Sequence, residues 1–182
     1  MSISNTDDII DSREVTDRIE ELESDREPLT DAVTEAQEAV GFAQDDLTKA
    51  ESARVGYKDA DDLEVLQEAV DDAREALEEA QKTLAEAEKE LEEWDSDDDG
   101  QELKSLKALE DDCTSSEWSS GLTLIHEDHF EDYAQELARD IGAINDQMSW
   151  PCNCIDWGQA AKELQSDYSV TQFGDQSYYY RD

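Results

Sequence analysis

Residues 63–94 read LEVLQEAVDDAREALEEAQKTLAEAEKELEEW, and the spacing of the apolar side chains in that stretch decides the fold. Leu63, Leu66, Val70, Ala73, Leu77, Ala80, Leu84, Ala87, Leu91 and Trp94 follow one another at alternating steps of three and four without a break. That alternation is the heptad seam of a coiled coil. Upstream, Val15, Ile19, Leu22, Arg26, Leu29, Val33, Ala36, Val40, Ala43, Leu47 and Ala50 repeat the pattern, with Arg26 as its one clear break. Pro28 lies inside this first run and predicts a kink or a junction near Glu27, because proline removes a helical N–H. Asp11 or Ser12 is the expected N-cap.

Between the two runs, Ala53 to Ala60 includes Gly56 and sustains no period, which predicts a connector and an antiparallel αα-hairpin over about residues 12–95. The pattern leaves open whether the seam closes within one chain or between two, as a homodimer. Asp95-Ser96-Asp97-Asp98-Asp99-Gly100 reads as a linker, and Leu103, Leu106 and Leu109 as a short helix over 101–112. Cys113–Gly121 is Ser-rich and loop-like, with Trp118 exposed unless something covers it; residues 1–10 and 113–121 read as segments without fixed structure in the free protein.

The last sixty residues hold most of the aromatics. Leu122–Ile125 is a short apolar run, and a helix over about 128–141 is predicted with Phe130, Tyr133, Leu137 and Ile141 on one face and Gly142 as its stop. A loop through Trp150-Pro151 leads to Asp156, a good N-cap for a helix with Trp157, Ala160, Ala161 and Leu164. Tyr168–Phe173 and Gln176–Tyr180 flank Gly174-Asp175 as a hairpin, which places Tyr178 and Tyr180 on one sheet face and Tyr179 on the other. The expected fold is therefore mainly α: an acidic helical hairpin over 1–99, a short helix and linker over 100–121, and a small α+β domain over 122–182.

Charge narrows the function. The 182 residues hold 52 acidic and 14 basic side chains, a formal net charge of -38. A phosphate backbone would be repelled, so nucleic acid is not the expected ligand. Residues 1–99 contain 35 acids and 9 bases, and 35 − 9 leaves a net charge of -26. A hairpin with helices of this length extends roughly 55 Å and is about 20 Å across. That is a net negative charge per about 2 Å of axis, against about 1.7 Å for duplex DNA. The carboxylates outside the seam that fit a partner-binding role are Asp71, Asp72, Glu75, Glu78, Glu79, Glu86 and Glu93, followed by Asp97, Asp98 and Asp99; Glu127, Asp128, Glu131 and Asp132 form a second acidic group near the tail. The competing account is a structural or adaptor coiled coil whose acidity is salt adaptation. Coiled coils usually balance Glu with Lys, and the scarcity of bases here speaks against a generic solvated face but not against salt adaptation.

Other chemistry is poorly supported. His126-x-x-His129 with Cys152-x-Cys154 and Cys113 could supply zinc ligands, but C-x-C is a weak spacing, and no metal or other cofactor is expected. There is no glycine-rich phosphate loop, G-x-S-x-G or H-E-x-x-H, so catalysis is not expected. No run of about 18 apolar residues predicts a membrane span. The first residues lack the features of a signal peptide and the odd cysteine count implies no disulfide framework, which together predict a cytoplasmic protein.

A resemblance bears on the target. Tyr133-Ala134, Asp140-Ile141-Gly142-Ala143-Ile144 and Ile155-Asp156-Trp157-Gly158-Gln159-Ala160-Ala161-Lys162-Glu163-Leu164, ending in an aromatic strand, resemble the C-terminal module of ArdA-type antirestriction proteins. That family, carried by phages and mobile elements, mimics bent duplex DNA and blocks type I restriction enzymes. The resemblance covers about residues 128–181; the family's N-terminal and central modules have no counterpart, and Lys162 stands where the family often has arginine. It implies an anti-defence protein acting on a DNA-binding complex in a bacterial host, with restriction–modification enzymes and CRISPR effectors as the candidate targets.

Overall fold

The computed structural model describes residues 2–55, 60–113, 115–144 and 152–181. The middle of the expected connector (56–59) and the Trp150-Pro151 loop lie outside them. The chain is mainly helical, with a small antiparallel sheet. It divides into two compact units, Glu23–Gly100 and a discontinuous one made of Met1–Leu22 with Gln101–Asp182.

The first unit is the hairpin. Helices α1 (Ser12–Val55) and α2 (Ala60–Ser96) carry the two heptad runs. Burial follows the predicted register: every seam position of α1 and, from Leu66 onward, of α2 is buried or half-buried, while Leu63 at the start of α2 is exposed. The hairpin closes within one chain. Near one end Arg26 grips Asp95 with Nε–Oδ1 at 2.7 Å and Nη2–Oδ2 at 3.0 Å; near the other Arg54 donates to Gln67 and Arg74 meets Glu51. Arg26, the break in the heptad, thus lays its stem in the seam and delivers its guanidinium to the far end of the partner helix.

Two expectations for this unit need correction. Pro28 marks no junction, because α1 runs through it as one helix. Pro28 and Ser24 are both exposed, so the Ser24 carbonyl, which loses its helical donor, can be hydrated instead. Nor is Asp95–Gly100 an extended linker: α2 reaches Ser96, and α3 (Asp98–Asp112) starts after Asp97 alone. The Asp97 N–H still donates to the carbonyls of Glu93 and Trp94, both at 3.1 Å. At this corner Gly100 is buried against the preceding turn, where a Cβ would overlap the Trp94 carbonyl oxygen and lie 2.7 Å from Asp95 Cα. Backbone cannot yield as a side chain would. Gly100→Ala should therefore lower stability by roughly 1–3 kcal/mol, read as a lower thermal midpoint.

The second unit is built on a four-stranded antiparallel sheet in the order β1-β2-β4-β3: β1 (Ile9–Asp11), β2 (Thr123–His126), β3 (Ser169–Phe173) and β4 (Gln176–Tyr180). Gly174, at φ +64°, and Asp175 turn β3 into β4 as predicted. One face, with Ile125 and Tyr179, is covered by α5 (Phe130–Asp140) and α6 (Trp157–Gln165) through Phe130, Ala134, Ala161 and Leu164. Asp156 caps α6 by accepting from Gln159 N at 3.0 Å. Ile141, expected on the apolar face of α5, is 70% exposed because α5 has ended at Asp140.

The other sheet face carries Ile10, Leu124, Tyr178, Tyr180 and Phe173, all buried. The buried apolar stripes of early α1 (Val15, Ile19, Leu22) and of α3 (Leu103, Leu106, Leu109) belong to this same unit, and Thr171 Oγ1 donates to Asp112 at the end of α3 at 2.8 Å. Residues 1–10 read from the sequence as a segment without fixed structure, yet Ile9 and Ile10, with Asp11, form an edge strand in which Ile10 lies opposite Leu124. The first twenty-two residues accordingly belong with the C-terminal domain rather than with the hairpin.

Ser12 is not a simple N-cap either. Its fully buried hydroxyl donates to Trp118 O at 2.6 Å and accepts from Leu122 N at 2.7 Å. Trp118 opens a short helix, α4 (Trp118–Gly121), and is itself buried, with Nε1 donating to Thr16 at 3.1 Å. The Ser-rich segment is therefore held down at its far end.

Candidate functional site

The buried seam fixes which columns of α2 face solvent. With Val70, Leu77, Leu84 and Leu91 at heptad position a, position b holds Asp71, Glu78, Ala85 and Glu92, and position c holds Asp72, Glu79, Glu86 and Glu93. All seven carboxylates are exposed, and neither column contains a base from Asp71 to Glu93. The pattern repeats every seven residues, about 10.5 Å along the helix. Of the α2 bases, Arg74 stands at e beside the b column, and Lys82 and Lys89 stand at f, the column that runs between b and c. Each reaches back to the stripe: Arg74 to Asp71 at 3.7 Å, Lys82 to Glu86 at 3.7 Å and Lys89 to Glu93 at 3.0 Å. Exposed pairs of this kind contribute little to stability and leave the stripe strongly negative.

All fourteen acids predicted from the sequence are exposed, but the structure does not make one site of them. Asp71, Asp72, Glu78, Glu79, Glu86 and Glu93 share the b/c face. Glu75 stands on the same face, in the f column between b and c, with Lys82 and Lys89. Asp97 sits at the corner between α2 and α3, and Asp98 and Asp99 in the first turn of α3. Glu127 and Asp128 lie in a short 3-10 turn, and Glu131 and Asp132 in the first turn of α5. Carboxylates in a first turn are stabilised by the positive end of the helix dipole, which gives Asp98, Asp99, Glu131 and Asp132 a local reason to be there. Glu127, Asp128, Glu131 and Asp132 also belong to the other compact unit. Glu92, omitted from the predicted set, completes the b column; the heptad register applied to the sequence would have found it.

The histidines and cysteines do not converge. His126 is buried, its Nδ1 accepting from Asp128 N at 3.1 Å and its Nε2 lying 3.1 Å from Gln176 Oε1, so both ring nitrogens are engaged within the fold. Cys113 is buried, Cys152 half-buried and Cys154 exposed. Among the described residues, no three His, Cys, Asp or Glu side chains are grouped as a metal ion would need. Tyr178 and Tyr180 are core residues; Tyr179 is half-buried on the opposite face, its ring centroid 5.0 Å from that of Phe130. Burial, followed by the hydrogen bond shared with Tyr133, pushes the Tyr168 hydroxyl up to about 12, which keeps it protonated as a packing contact.

Among the described residues, no helix is long and apolar enough to cross a membrane. No protein-family model matches the chain, and no curated protein or solved structure matches it either.

Proposed function

We propose that this chain is an anti-defence protein that imitates duplex DNA, its α2 face entering the Lys/Arg-lined channel of a host restriction–modification or CRISPR effector complex in the bacterial cytoplasm. The observation that carries this reading is the solvent face of α2, where eight exposed carboxylates in columns b, f and c from Asp71 to Glu93 outnumber the two lysines, Lys82 and Lys89, that stand among them. Carboxylates there take the places of phosphates, and the protein inhibits by occupancy, without a catalytic step. The likeness of residues 128–181 to the ArdA C-terminal module supports the same class of target. Binding of this kind is steered by long-range charge, associates quickly and is screened by salt within about 8–10 Å.

The test is capture of partners from host lysate on the tagged protein at low salt, repeated with excess duplex DNA. A defence complex that co-purifies, is displaced by DNA and is lost between about 50 and about 500 mM salt is the expected result. Partners that do not bind DNA, or capture indifferent to DNA and salt, would replace this reading with the adaptor one. In that account the half-buried seam pairs chains and the acidity serves solvation.

A further inference from the structure

Beside β1, the first residues of the chain and the first turns of α1 enclose a cavity of about 250 Å³. Ile3, Ile9 and Ile10 give it an apolar lining, and Asp7, Glu14 and Asp17 stand exposed around it. Arg18 also lines it, but its charge is already met by Glu102, at 2.8 Å from Nη2, and by Glu21, at 2.8 Å from Nη1. The Arg18 hydrogen bond, the Ile3 N–H and the Arg18 charge overcome the opposing effect of burial and hold the Glu102 carboxyl below its ordinary value, so this pair stays ionised. What remains around the cavity is an apolar hole with three further carboxylates beside it.

The cavity adjoins an open sheet edge. His126 N donates to Asp8 O at 2.9 Å and Ser12 N donates to Leu122 O at 2.9 Å, so residues 8, 10 and 12 direct their backbone groups at β2. In an antiparallel ladder the intervening residue then turns its N–H and C=O the other way. For Ile9 that is outward, on the edge strand of the sheet, where the residue is 45% exposed.

We infer that this place receives an extended segment of a partner protein, which adds alongside β1 and sinks one arginine into the cavity. The arginine stem packs on Ile3, Ile9 and Ile10, and its planar guanidinium reaches Asp7, Glu14 and Asp17 at the rim. Charge complementarity selects the occupant: an acidic side chain would be repelled, and a purely apolar one would bring no counter-charge to the three carboxylates. The site and the α2 face belong to different compact units, so the site can fail while DNA-competed capture succeeds, and the reverse.

The probe is the peptide acetyl-Val-Arg-Val-Lys-Val-amide titrated into the full-length, isotope-labelled protein and followed by amide chemical shifts. Shifts concentrated on residues 3, 7–11 and 14–18 are expected, with binding weakened about tenfold in Glu14→Gln/Asp17→Asn and in the peptide whose arginine is replaced by citrulline. Both substituted side chains are exposed, so that variant should fold, and its unperturbed shifts elsewhere would show it. Shifts spread along α2, equal binding of the citrulline peptide, equal binding by the variant, or no binding would each overturn the assignment. Free arginine amide binding as tightly as the peptide would overturn the strand addition.

Discussion

Lysine at positions 71, 72, 78 and 79 should abolish capture and inhibition of the target while leaving the helix signal intact. Asp71, Asp72, Glu78 and Glu79 lie on the exposed b and c columns and touch nothing in the seam, so their replacement removes no packing. Lysine also has a better helix propensity than aspartate. The four changes move the formal charge from -38 by 8 to -30, which reduces self-repulsion and should raise the thermal midpoint slightly. In a basic channel the same changes set like charges against each other, each costing several kcal/mol, so the affinity loss should exceed about a thousandfold. The informative comparison is Leu77 and Leu84 made polar. If those seam changes remove target binding while the lysine variant still binds, the contact is made by the seam, and the mimicry reading is wrong.

Phe130→Ala should be the most damaging single change to the sheet-bearing unit. Phe130 is fully buried between α5 and the sheet, with ring centroids of Tyr179, Tyr168 and Tyr133 at 5.0, 5.1 and 5.5 Å. Truncating a buried Phe forfeits its transfer free energy and leaves a cavity, a cost of about 3–5 kcal/mol. Against a total stability of about 5–15 kcal/mol, that brings this unit close to unfolding at ordinary temperature. Ile141→Ala, at the residue that follows the same helix and 70% exposed, should cost no more than about 0.5 kcal/mol. Urea unfolding of the two variants side by side separates a core role for Phe130 from a general sensitivity of α5, and similar midpoints would contradict the packing described above.

The parts legible in the sequence are those in which a local period meets a local purpose. The two heptad runs forecast which α1 and α2 residues are buried because the period itself records the seam. Asp156 and Gly174-Asp175 were readable because capping and turn chemistry involve neighbours in sequence. The parts that were not legible depend on residues far apart. Ile9 and Ile10 look like any short apolar pair until β2 supplies their ladder. Ser12 looks like a cap until Trp118 and Leu122 engage its hydroxyl. The corner at Asp97 was hidden behind an acidic run that reads as a linker, because only the fold shows how closely Gly100 approaches Trp94 and Asp95. The acidic face sits between these cases: its members were found by composition, but grouping them needed the register.

Because the sheet takes its first strand from the start of the chain and the rest from beyond Gly121, synthesis delivers the pieces out of order. Ile10 leaves the ribosome 124 − 10 = 114 residues ahead of Leu124, its ladder partner. The hairpin, whose contacts are complete by Gly100, can form while β1 still waits. Seen from the sheet, residues 23–100 are an insertion whose ends are tied by the surrounding fold. Over evolution such an insertion can lengthen or shorten by whole heptads taken in step from both helices, preserving the seam and leaving the sheet unaware of the change. The reach of the acidic face is in that sense a setting independent of the domain that anchors it.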